Sequence, residues 1–284
     1  MEKICIVAIL KWEEPFLDEW IAYHRMIGID HFYLYDDDPL FPLAEFVKPY
    51  SEYVTVINWN GMDLQIDGQT TTQIKAYVHA VQHFACSYDW VIFMDGDEFI
   101  VLRKHQSVPD FLAEFDENCS AVSLHWHVFG HNGFYEDPPG LVTASLTRRM
   151  FTPSIQIKTF SRPATIKSVD SPHYCRLRSG SWLDVNHQPF KYVYPNPGLT
   201  DTAHINHYQC RSFVNWMDRA KRGDVSTKDD FVKPEHRWRL TEDSCLRHFV
   251  TTVAKDRNEY VDEYMLQYKE AIENRIKAIR KNNE

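Results

Sequence analysis

The sequence has no paired cysteines and no excess of positive charge, and each absence excludes a class of protein. Its six cysteines stand singly and never as C-x-x-C, a pattern typical of reduced, buried thiols rather than of a disulfide framework or a zinc site. Lysine and arginine number 31 against 40 aspartate and glutamate residues, which gives a net charge of −9. Because a surface that tracks phosphates needs clustered basic residues, the sequence predicts no nucleic-acid partner.

Long apolar runs are also missing. No stretch approaches the ~18 consecutive apolar residues that a transmembrane helix requires. The first residues, MEKICIVAILKWEE, lack the layout of a signal peptide, because their short apolar run passes directly into charged residues. The sequence therefore predicts a cytoplasmic, soluble protein with no transmembrane span, and it leaves peripheral attachment to a membrane open.

Apolar runs alternate with helical patterns over the first hundred residues. Strands are predicted at 4–10, 31–35, 54–59 and 90–94, helices at 14–27 and 73–87, a short helix or loop at 39–50, and a polar loop at 60–72. This alternation predicts an α/β fold with a doubly wound, mostly parallel sheet flanked by helices. In such sheets, ligands bind beyond the carboxyl ends of the strands.

The second half of the chain is less regular. Mixed or antiparallel strands are predicted at 122–129, 154–166 and 182–194, a loop at 130–140, and helices at 211–221 and 256–281. We expect one domain over residues 1–255, with halves at 1–100 and 101–255, followed by a helical tail at 256–284.

The tail carries an apolar stripe that a lone helix could not leave in water. Its members are Val261, Met265, Tyr268, Ile272, Ile276 and Ile279. The stripe predicts packing either on the body of the chain or on another subunit, and of the two we expect self-association as a homo-oligomer.

Carboxylates follow the first, second and fourth predicted strands. They are Glu13 and Glu14, Asp36 to Asp38, and Asp95-Gly96-Asp97 with Glu98. A strand that ends in D-x-D presents hard oxygen ligands that suit Mn²⁺ or Mg²⁺, and such an ion can bridge to diphosphate oxygens. Gly96 lets the backbone turn and admits phosphates closely. The alternative interpretation is a solvated acidic turn that caps a helix.

The motifs also occur in a recognisable order. They are Glu14, EWIAYH at 19–24, HFYLYD at 31–36, Gln73, Ala76-Tyr77, WVIFMDGDEF at 90–99, Lys158, His173 and INHY at 205–208. Over roughly residues 3–224, this order resembles the GT-A glycosyltransferases of the family 2-like group related to glycosyltransferase family 92. One departure is Glu13, where the family commonly carries Asn.

The resemblance implies a metal-dependent glycosyltransferase of the GT-A fold, with a DXD motif, a mixed acceptor-side subregion and a C-terminal helix. The donor is a nucleotide-sugar, here a UDP-sugar, and transfer to a glycan, glycolipid or other glycoconjugate proceeds with inversion, as in polysaccharide biosynthesis. Residues 1–100 become the nucleotide-sugar-binding half and 101–255 the acceptor-binding half.

The same resemblance assigns roles to single residues. The predicted nucleotide-sugar-binding residues are Glu13, Glu14, Asp36, Gln73, Tyr77, Asp95 and Gly96, and the predicted metal ligands for Mn²⁺ or Mg²⁺ are Asp95, Asp97 and His207. His204 competes with His207 for the last place. One of Arg211, Lys221, Arg222 and Gly223 could neutralise the leaving diphosphate.

On the acceptor side, Trp126 and His131 are predicted to bind the acceptor. His125, His127 and His131 also allow an alternative zinc site, because residues 125 and 127 share one face of a strand. An inverting transfer needs a group that takes the proton of the acceptor hydroxyl. Three catalytic-base candidates stay open: Glu136, Asp137 and Asp184.

Two other functions compete with this interpretation. A sugar nucleotidyltransferase would carry a glycine-rich basic loop after its first strand, but this chain has Lys11-Trp12-Glu13-Glu14 there. A catalytically silent scaffold that binds nucleotide-sugars or glycans is disfavoured by the intact D-x-D followed by a late histidine. Donor hydrolysis by the purified protein separates an enzyme from such a scaffold.

Overall fold

A computed structural model describes residues 2–38, 42–59, 71–190, 200–222 and 241–281 of the chain. The strands are β1 Ile4–Leu10, β2 His31–Asp36, β3 Val54–Asn58, β4 Trp90–Phe93, β5 Glu98–Leu102, β6 Cys119–Val128, β7 Arg148–Arg149, β8 Ile157–Ser161, β9 Ile166–Ser168, β10 Arg176–Leu177, β11 Ser181–Asp184, β12 Ala203–His207 and β13 Tyr260–Val261.

The helices are mostly short outside the first hundred residues. They are α1 Glu14–Met26, α2 Leu43–Phe46, α3 Thr72–His83, α4 Val108–Leu112, α5 Val142–Ser145, α6 Phe213–Arg222, α7 Glu242–His248, α8 Ala254–Asp256 and α9 Lys269–Lys281. A π-helical turn, Phe249–Val253, joins α7 to α8, and a 3-10 turn, Tyr264–Tyr268, precedes α9.

One nine-stranded sheet dominates the fold, in the order β3-β2-β1-β4-β8-β6-β12-β5, with β11 beside β6. The strands β3, β2, β1 and β4 are parallel. Beyond β4 the sheet is mixed, because β8 is antiparallel to β4 and β6, while β12 is parallel to β6 and antiparallel to β5. The predicted α/β class and mostly parallel sheet are confirmed.

Helices cover both faces of the parallel strands, as the alternation of side chains in β1 shows. Ile4 and Ile6 pack in the cluster that contains Trp20 of α1, whereas Cys5 and Val7 pack in the cluster that contains Tyr77 of α3. A strand buried on both faces needs a continuous apolar run, which explains the sequence of β1. Gly28 follows α1 with a φ of +99°, a conformation that glycine adopts without strain.

The tail differs from its prediction, because its helix begins at Lys269 rather than at residue 256. The preceding segment is drawn into an extended path, where β13 pairs with β7 and the buried Asp262 binds Arg103 and Arg149. Met265 and Ile272 are 2% and 0% exposed against the main core. The stripe from Met265 to Ile279 therefore packs on the body of its own chain, whereas Val261 is 46% exposed. Self-association through the tail stays a prediction.

Other boundaries shift without changing the topology. The helix predicted at 73–87 ends at His83, the strand predicted at 154–166 is divided into β8 and β9, and the strand predicted at 182–194 ends at Asp184. Most of the predicted loop at 60–72 lies outside the described residues, as do residues 191–199. Within the described part of the chain, no helix is both long and apolar enough to cross a bilayer.

Candidate functional site

The D-x-D motif lies in the connection between β4 and β5, and β12 places a histidine beside it. The backbone N–H of Tyr208 donates to the carbonyl oxygen of Asp97 at 2.8 Å, which continues the antiparallel ladder of β12 and β5. In this register His207 Nε2 lies 3.3 Å from Asp97 Oδ1, and both side chains are almost fully buried. The folded sheet thus brings together two residues that are far apart in sequence.

This pair has the spacing that a shared divalent cation requires. Two ligand atoms that each lie about 2.1 Å from one ion stand roughly 3 Å apart. The distance between Asp97 and His207 is close to that value, and a carboxylate with an imidazole is a donor set that Mn²⁺ accepts. The two residues therefore fit a metal as a pair, although their role as ligands stays a prediction.

Asp95 is engaged elsewhere. Its Oδ1 atom accepts a hydrogen bond from Gln73 Nε2 at 3.1 Å, and its Oδ2 atom lies 3.2 Å from Lys158 Nζ. Among the described residues, no group of three or more His, Cys, Asp or Glu side chains gathers with metal-ligand geometry. The structure does not group Asp95, Asp97 and His207 as one set of ligands, because the ammonium group of Lys158 holds Asp95.

Lys158 also contacts Glu98, whose Oε2 atom is 3.2 Å from Nζ, and neither side chain is exposed to solvent. Burial raises the pKa of Glu98 well above its usual value, although Lys158 opposes the shift. Burial also disfavours the charge of Lys158, but Asp95 and Glu98 outweigh that effect and raise its pKa. The sequence predicts no role for Lys158. The signal that could have found it is a lysine among the apolar residues of IQIKTF.

Gly96 packs closely against the corner between β1 and α1. A Cβ atom at this position would stand 2.9 Å from Leu10 Cδ2 and 3.3 Å from Glu13 Cγ. The carboxylate of Glu13 in turn binds Arg211 Nη2 at 2.6 Å, and the guanidinium lies 3.7 Å from the ring centre of Phe16. Glu13 is thus held in a buried ion pair beneath Gly96, so its predicted contact with the nucleoside stays untested.

Glu14 and Asp36 lie at the carboxyl ends of β1 and β2. Burial raises the pKa of Glu14, with further contributions from the carboxylates of Asp38, Glu13 and Asp36. Burial also raises the pKa of Asp36, although its two oxygens accept backbone hydrogen bonds from Asp38 and Leu43 at 3.1 and 3.2 Å. The predicted nucleotide-binding carboxylates therefore share one corner of the sheet.

Gln73 and Tyr77 connect α3 to the D-x-D motif. Gln73 Nε2 donates both to Asp95 Oδ1 and to the hydroxyl of Tyr77, each at 3.1 Å. Tyr77 is fully buried, and its ring stacks on Phe93 with centroids 4.4 Å apart. Tyr77 is thus a core residue that orients Gln73.

Of the two predicted acceptor residues, only Trp126 lies beside the pair formed by Asp97 and His207, called the metal pair below. Its ring meets His207 edge-on at 4.3 Å and His173 at 5.3 Å. The ring of His131 instead contacts the C-terminal segment, where its Nδ1 atom is 3.2 Å from Asn258 Nδ2. The acceptor role of both residues remains a prediction.

The alternative zinc site is not formed by the described residues. His125 bonds the carbonyl of Ser154, and His127 bonds the hydroxyl of Thr200. The imidazoles of His125, His127 and His131 therefore have different neighbours.

Two of the three catalytic-base candidates are fixed by hydrogen bonds. Asp184 Oδ1 accepts from the backbone N–H groups of Asn186 and Gln188 at 2.8 and 3.0 Å, which shapes the turn after β11. Asp137 accepts from Ser212 Oγ at 2.7 Å at the start of α6. Glu136 is exposed on the same loop as Asp137.

The competing histidine, His204, is fully buried and is bonded to the carbonyl of Thr200 and to Asn206 Oδ1. Its ring lies against that of His127 in a tilted arrangement, with the ring centres 4.3 Å apart. Of the other residues proposed to contact the diphosphate, the side chains of Lys221 and Arg222 and the whole of Gly223 lie outside the described residues.

Comparison with known proteins gives a match over most of the chain. The model of glycosyltransferase family 92 matches residues 3–249. A family 92 protein of Ricinus communis is 26% identical over 215 residues, which cover 73% of this chain and 35% of the relative. One from Oryza sativa subsp. japonica is 26% identical over 223 residues, covering 76% and 35%. The chain spans about a third of the length of these curated relatives.

Solved structures show weaker similarity. Glucosyl-3-phosphoglycerate synthase from Mycobacterium tuberculosis, in complex with Mn²⁺, UDP and glucosyl-3-phosphoglycerate, is 12% identical with a TM-score of 0.35 and covers 58% of each chain. S. aureus TarS 1-349 is 14% identical with a TM-score of 0.37 and covers 89% of this chain and 73% of its own. These similarities are too weak to transfer a ligand or a residue's role.

Proposed function

Because the chain belongs to glycosyltransferase family 92, we propose that it transfers a glycosyl group from a nucleotide-sugar donor to a glycan or glycoconjugate acceptor. The donor is a UDP-sugar, a divalent cation assists, and the transfer inverts the anomeric centre. The observation that carries the proposal is the convergence of Asp97 and His207, 3.3 Å apart, beside the glycine of the D-x-D motif.

In this proposal each residue of the site has a defined task. Asp97 and His207 hold the cation, which when bound supplies positive charge for the leaving diphosphate. The neutral imidazole favours Mn²⁺ over Mg²⁺. Lys158 fixes Asp95, and the ion pair of Arg211 with Glu13 supports the turn at Gly96.

The acceptor hydroxyl must lose a proton during transfer, and a carboxylate is suited to accept it. Glu136 and Asp137 lie on the loop that follows β6, and Asp184 ends β11. Replacing the catalytic base by the corresponding amide should lower kcat without changing the Mn²⁺ requirement. The three amide variants therefore rank the candidates.

The test of the function uses purified protein with Mn²⁺ and a panel of nucleotide-sugars. A ligand at 100 times its Kd stabilises the folded state by about 2.7 kcal/mol, which thermal unfolding detects. We expect a UDP-sugar to give this shift and to release UDP, and we expect a chelator to abolish both effects. A shift without any release of UDP would indicate a binding scaffold, and no shift with any donor contradicts the proposal.

The metal assignment has a matched control on the same strand. His207→Ala should depress kcat and raise the Mn²⁺ concentration needed for half-activity, with less effect on acceptor KM. His204→Ala should leave the Mn²⁺ requirement unchanged, because His204 bonds Thr200 and Asn206 instead. A defect in Mn²⁺ dependence that follows His204 rather than His207 would show that the wrong histidine was assigned.

A further inference from the structure

The strand β5, which follows the D-x-D motif, has a strand on one side only among the described residues, namely β12. The backbone of Asp97 bonds Tyr208 and that of Arg103 bonds Thr202, so the odd-numbered residues between them face β12. The backbone groups of Glu98, Ile100 and Leu102 consequently point to the opposite edge. A free edge of this kind exposes polar groups that need partners.

Side chains supply these partners. Trp20 Nε1 donates to Glu98 O at 2.8 Å, Tyr23 Oη donates to Ile100 O at 2.6 Å, His24 Nε2 accepts from Ile100 N at 3.2 Å, and Tyr264 Oη donates to Leu102 O at 2.6 Å. Three of these side chains come from α1 and belong to its EWIAYH sequence, and the fourth comes from the C-terminal segment.

The ring of His24 meets both of its partners in one protonation state. Its Nδ1 atom lies 2.8 Å from the carbonyl oxygen of Trp20, which can only accept, so Nδ1 carries the hydrogen. The lone pair of Nε2 then accepts from the N–H of Ile100. The helix α1 thereby takes the place of a neighbouring strand. Tyr23 supplies a donor to the carbonyl of Ile100, and His24 supplies an acceptor to its N–H.

The first of these bonds is the closest to the metal pair. Glu98 directly follows Asp97, whose carboxylate must stay within reach of His207 for the two to share a cation. We propose that Trp20 is a positioning residue for that pair: its indole N–H fixes the carbonyl of Glu98 and so sets the distance between Asp97 and His207. The inference rests on the proposed function, because it concerns the cation assigned there.

The hydrogen bonds along β5 provide controls that lie at different distances from Asp97. Trp20→Phe, Tyr23→Phe and Tyr264→Phe each remove one donor to a carbonyl of β5, at increasing distance from Asp97. Tyr23→Phe and Tyr264→Phe should each lower the unfolding temperature by about 2–4 °C, because each leaves a buried carbonyl unsatisfied. Trp20→Phe should lower it further, because it also leaves a cavity in the core. A benzothiophene analogue of tryptophan at position 20 removes only the N–H and is therefore the matched variant. A role in the fold alone would produce only these losses of stability.

The distinguishing measurement is direct Mn²⁺ binding in the presence of saturating UDP, followed by the electron paramagnetic resonance signal of free Mn²⁺. Trp20→Phe should weaken Mn²⁺ affinity about three- to tenfold, the range expected for one lost hydrogen bond next to a ligand. Tyr23→Phe should change it at most about twofold, and Tyr264→Phe should not change it. If Trp20→Phe does not fold, the benzothiophene analogue at position 20 takes its place.

The outcomes separate the inference from the proposed function. Equal losses of Mn²⁺ affinity in all three variants, or wild-type affinity in Trp20→Phe, would overturn the positioning role while leaving the metal site in place. A wild-type protein that binds no Mn²⁺ with UDP present would contradict the proposed function itself, and the inference with it.

Discussion

The two halves of the sheet hold their carboxylates in different ways. At the parallel half, Glu14 and Asp36 gather with other carboxylates, and burial raises the pKa of both. In the mixed half, Glu98 shares the buried Lys158 with Asp95. Asp262 has a lowered pKa because Arg149 and Arg103 outweigh its burial.

This difference shows at which part of the sheet a bound ligand can stabilise buried carboxylates. The mixed half contains the counter-charges of its own carboxylates, so those groups need no ligand to be paired. The corner at Glu14 and Asp36 concentrates negative charge that a hydrogen-bonding or cationic ligand would relieve. The ion pair of Glu13 and Arg211 joins the two halves at the motif that lies between them.

The largest effect is expected at that junction. Asp97→Ala should lower transfer by about 10³-fold or more, because it removes one of the two groups assigned to the cation. The fold should persist, since the variant also removes a negative charge that raises the pKa of the buried Glu98. Turnover and the unfolding temperature check the two statements separately.

The exposed Glu117 provides the control for this variant. Glu117→Ala should change neither turnover nor stability. Near wild-type turnover of Asp97→Ala in chelator-treated buffer would show that Asp97 holds no essential metal.

The next effect tests the mixed half. Lys158→Met should destabilise the fold by about 3–5 kcal/mol, because it leaves Asp95 and the fully buried Glu98 without their cation. Chemical denaturation measures this loss. Adding Glu98→Gln should recover part of it, since the two side chains interact directly. Additive losses in the double variant would mean that the pair does not act as a unit.

A third effect concerns imidazoles that the fold keeps uncharged. Burial lowers the pKa of His24 to about 3, of His127 to about 2 and of His204 to about 4. The unfolded chain binds these protons near pH 6.5, so stability is complete above that pH and falls below it. Between pH 7 and 5.5 we expect a loss of about 1 kcal/mol per histidine.

Urea unfolding at several pH values measures this loss. His204→Asn should reduce the loss of stability over this range by about 1 kcal/mol, the share of one such histidine. An unchanged dependence on pH in His204→Asn would show that the fold does not hold this imidazole neutral.

The smallest effect belongs to the parallel half. Glu14→Gln should raise the free energy of unfolding at pH 7 by no more than about 0.5 kcal/mol, because it removes a carboxylate with like-charged neighbours. The gain should vanish at low pH, where the wild-type side chain is also neutral. A clear loss of stability at pH 7 would indicate that Glu14 is compensated by a partner within the fold.

The parallel half was predictable because its signals are local. The continuous apolar runs of β1 and β4 could be identified without knowing their neighbours, and the D-x-D motif follows β4 directly. The strand β5 was missed because it begins with Glu98, a carboxylate buried beside a lysine that comes about sixty residues later. The strand β12 was missed because its polar His204 and Asn206 are buried and bond each other.

The site was predictable only in part, for the same reason. His207 was chosen by its motif, but its approach to Asp97 depends on pairing between distant strands. The ion pair of Asp95 with Lys158 and the contact of Glu13 with Arg211 have no local pattern. In the tail, helical spacing from Val261 onward misplaced the start of α9, because Val261 lies in the exposed strand β13 and Met265 reaches the core from a 3-10 turn.

The position of β12 in the sheet also sets the order in which this protein can assemble. In the sheet, β12 separates β5 from β6, although it is synthesised about a hundred residues after β5. Long-range pairing of this kind forms slowly, because a long loop must close before any contact stabilises it. A growing chain therefore cannot complete the pair of Asp97 and His207 until β12 has been made. Chains that stop before β12 would lack the pair, so metal capture would report that β12 is present and paired.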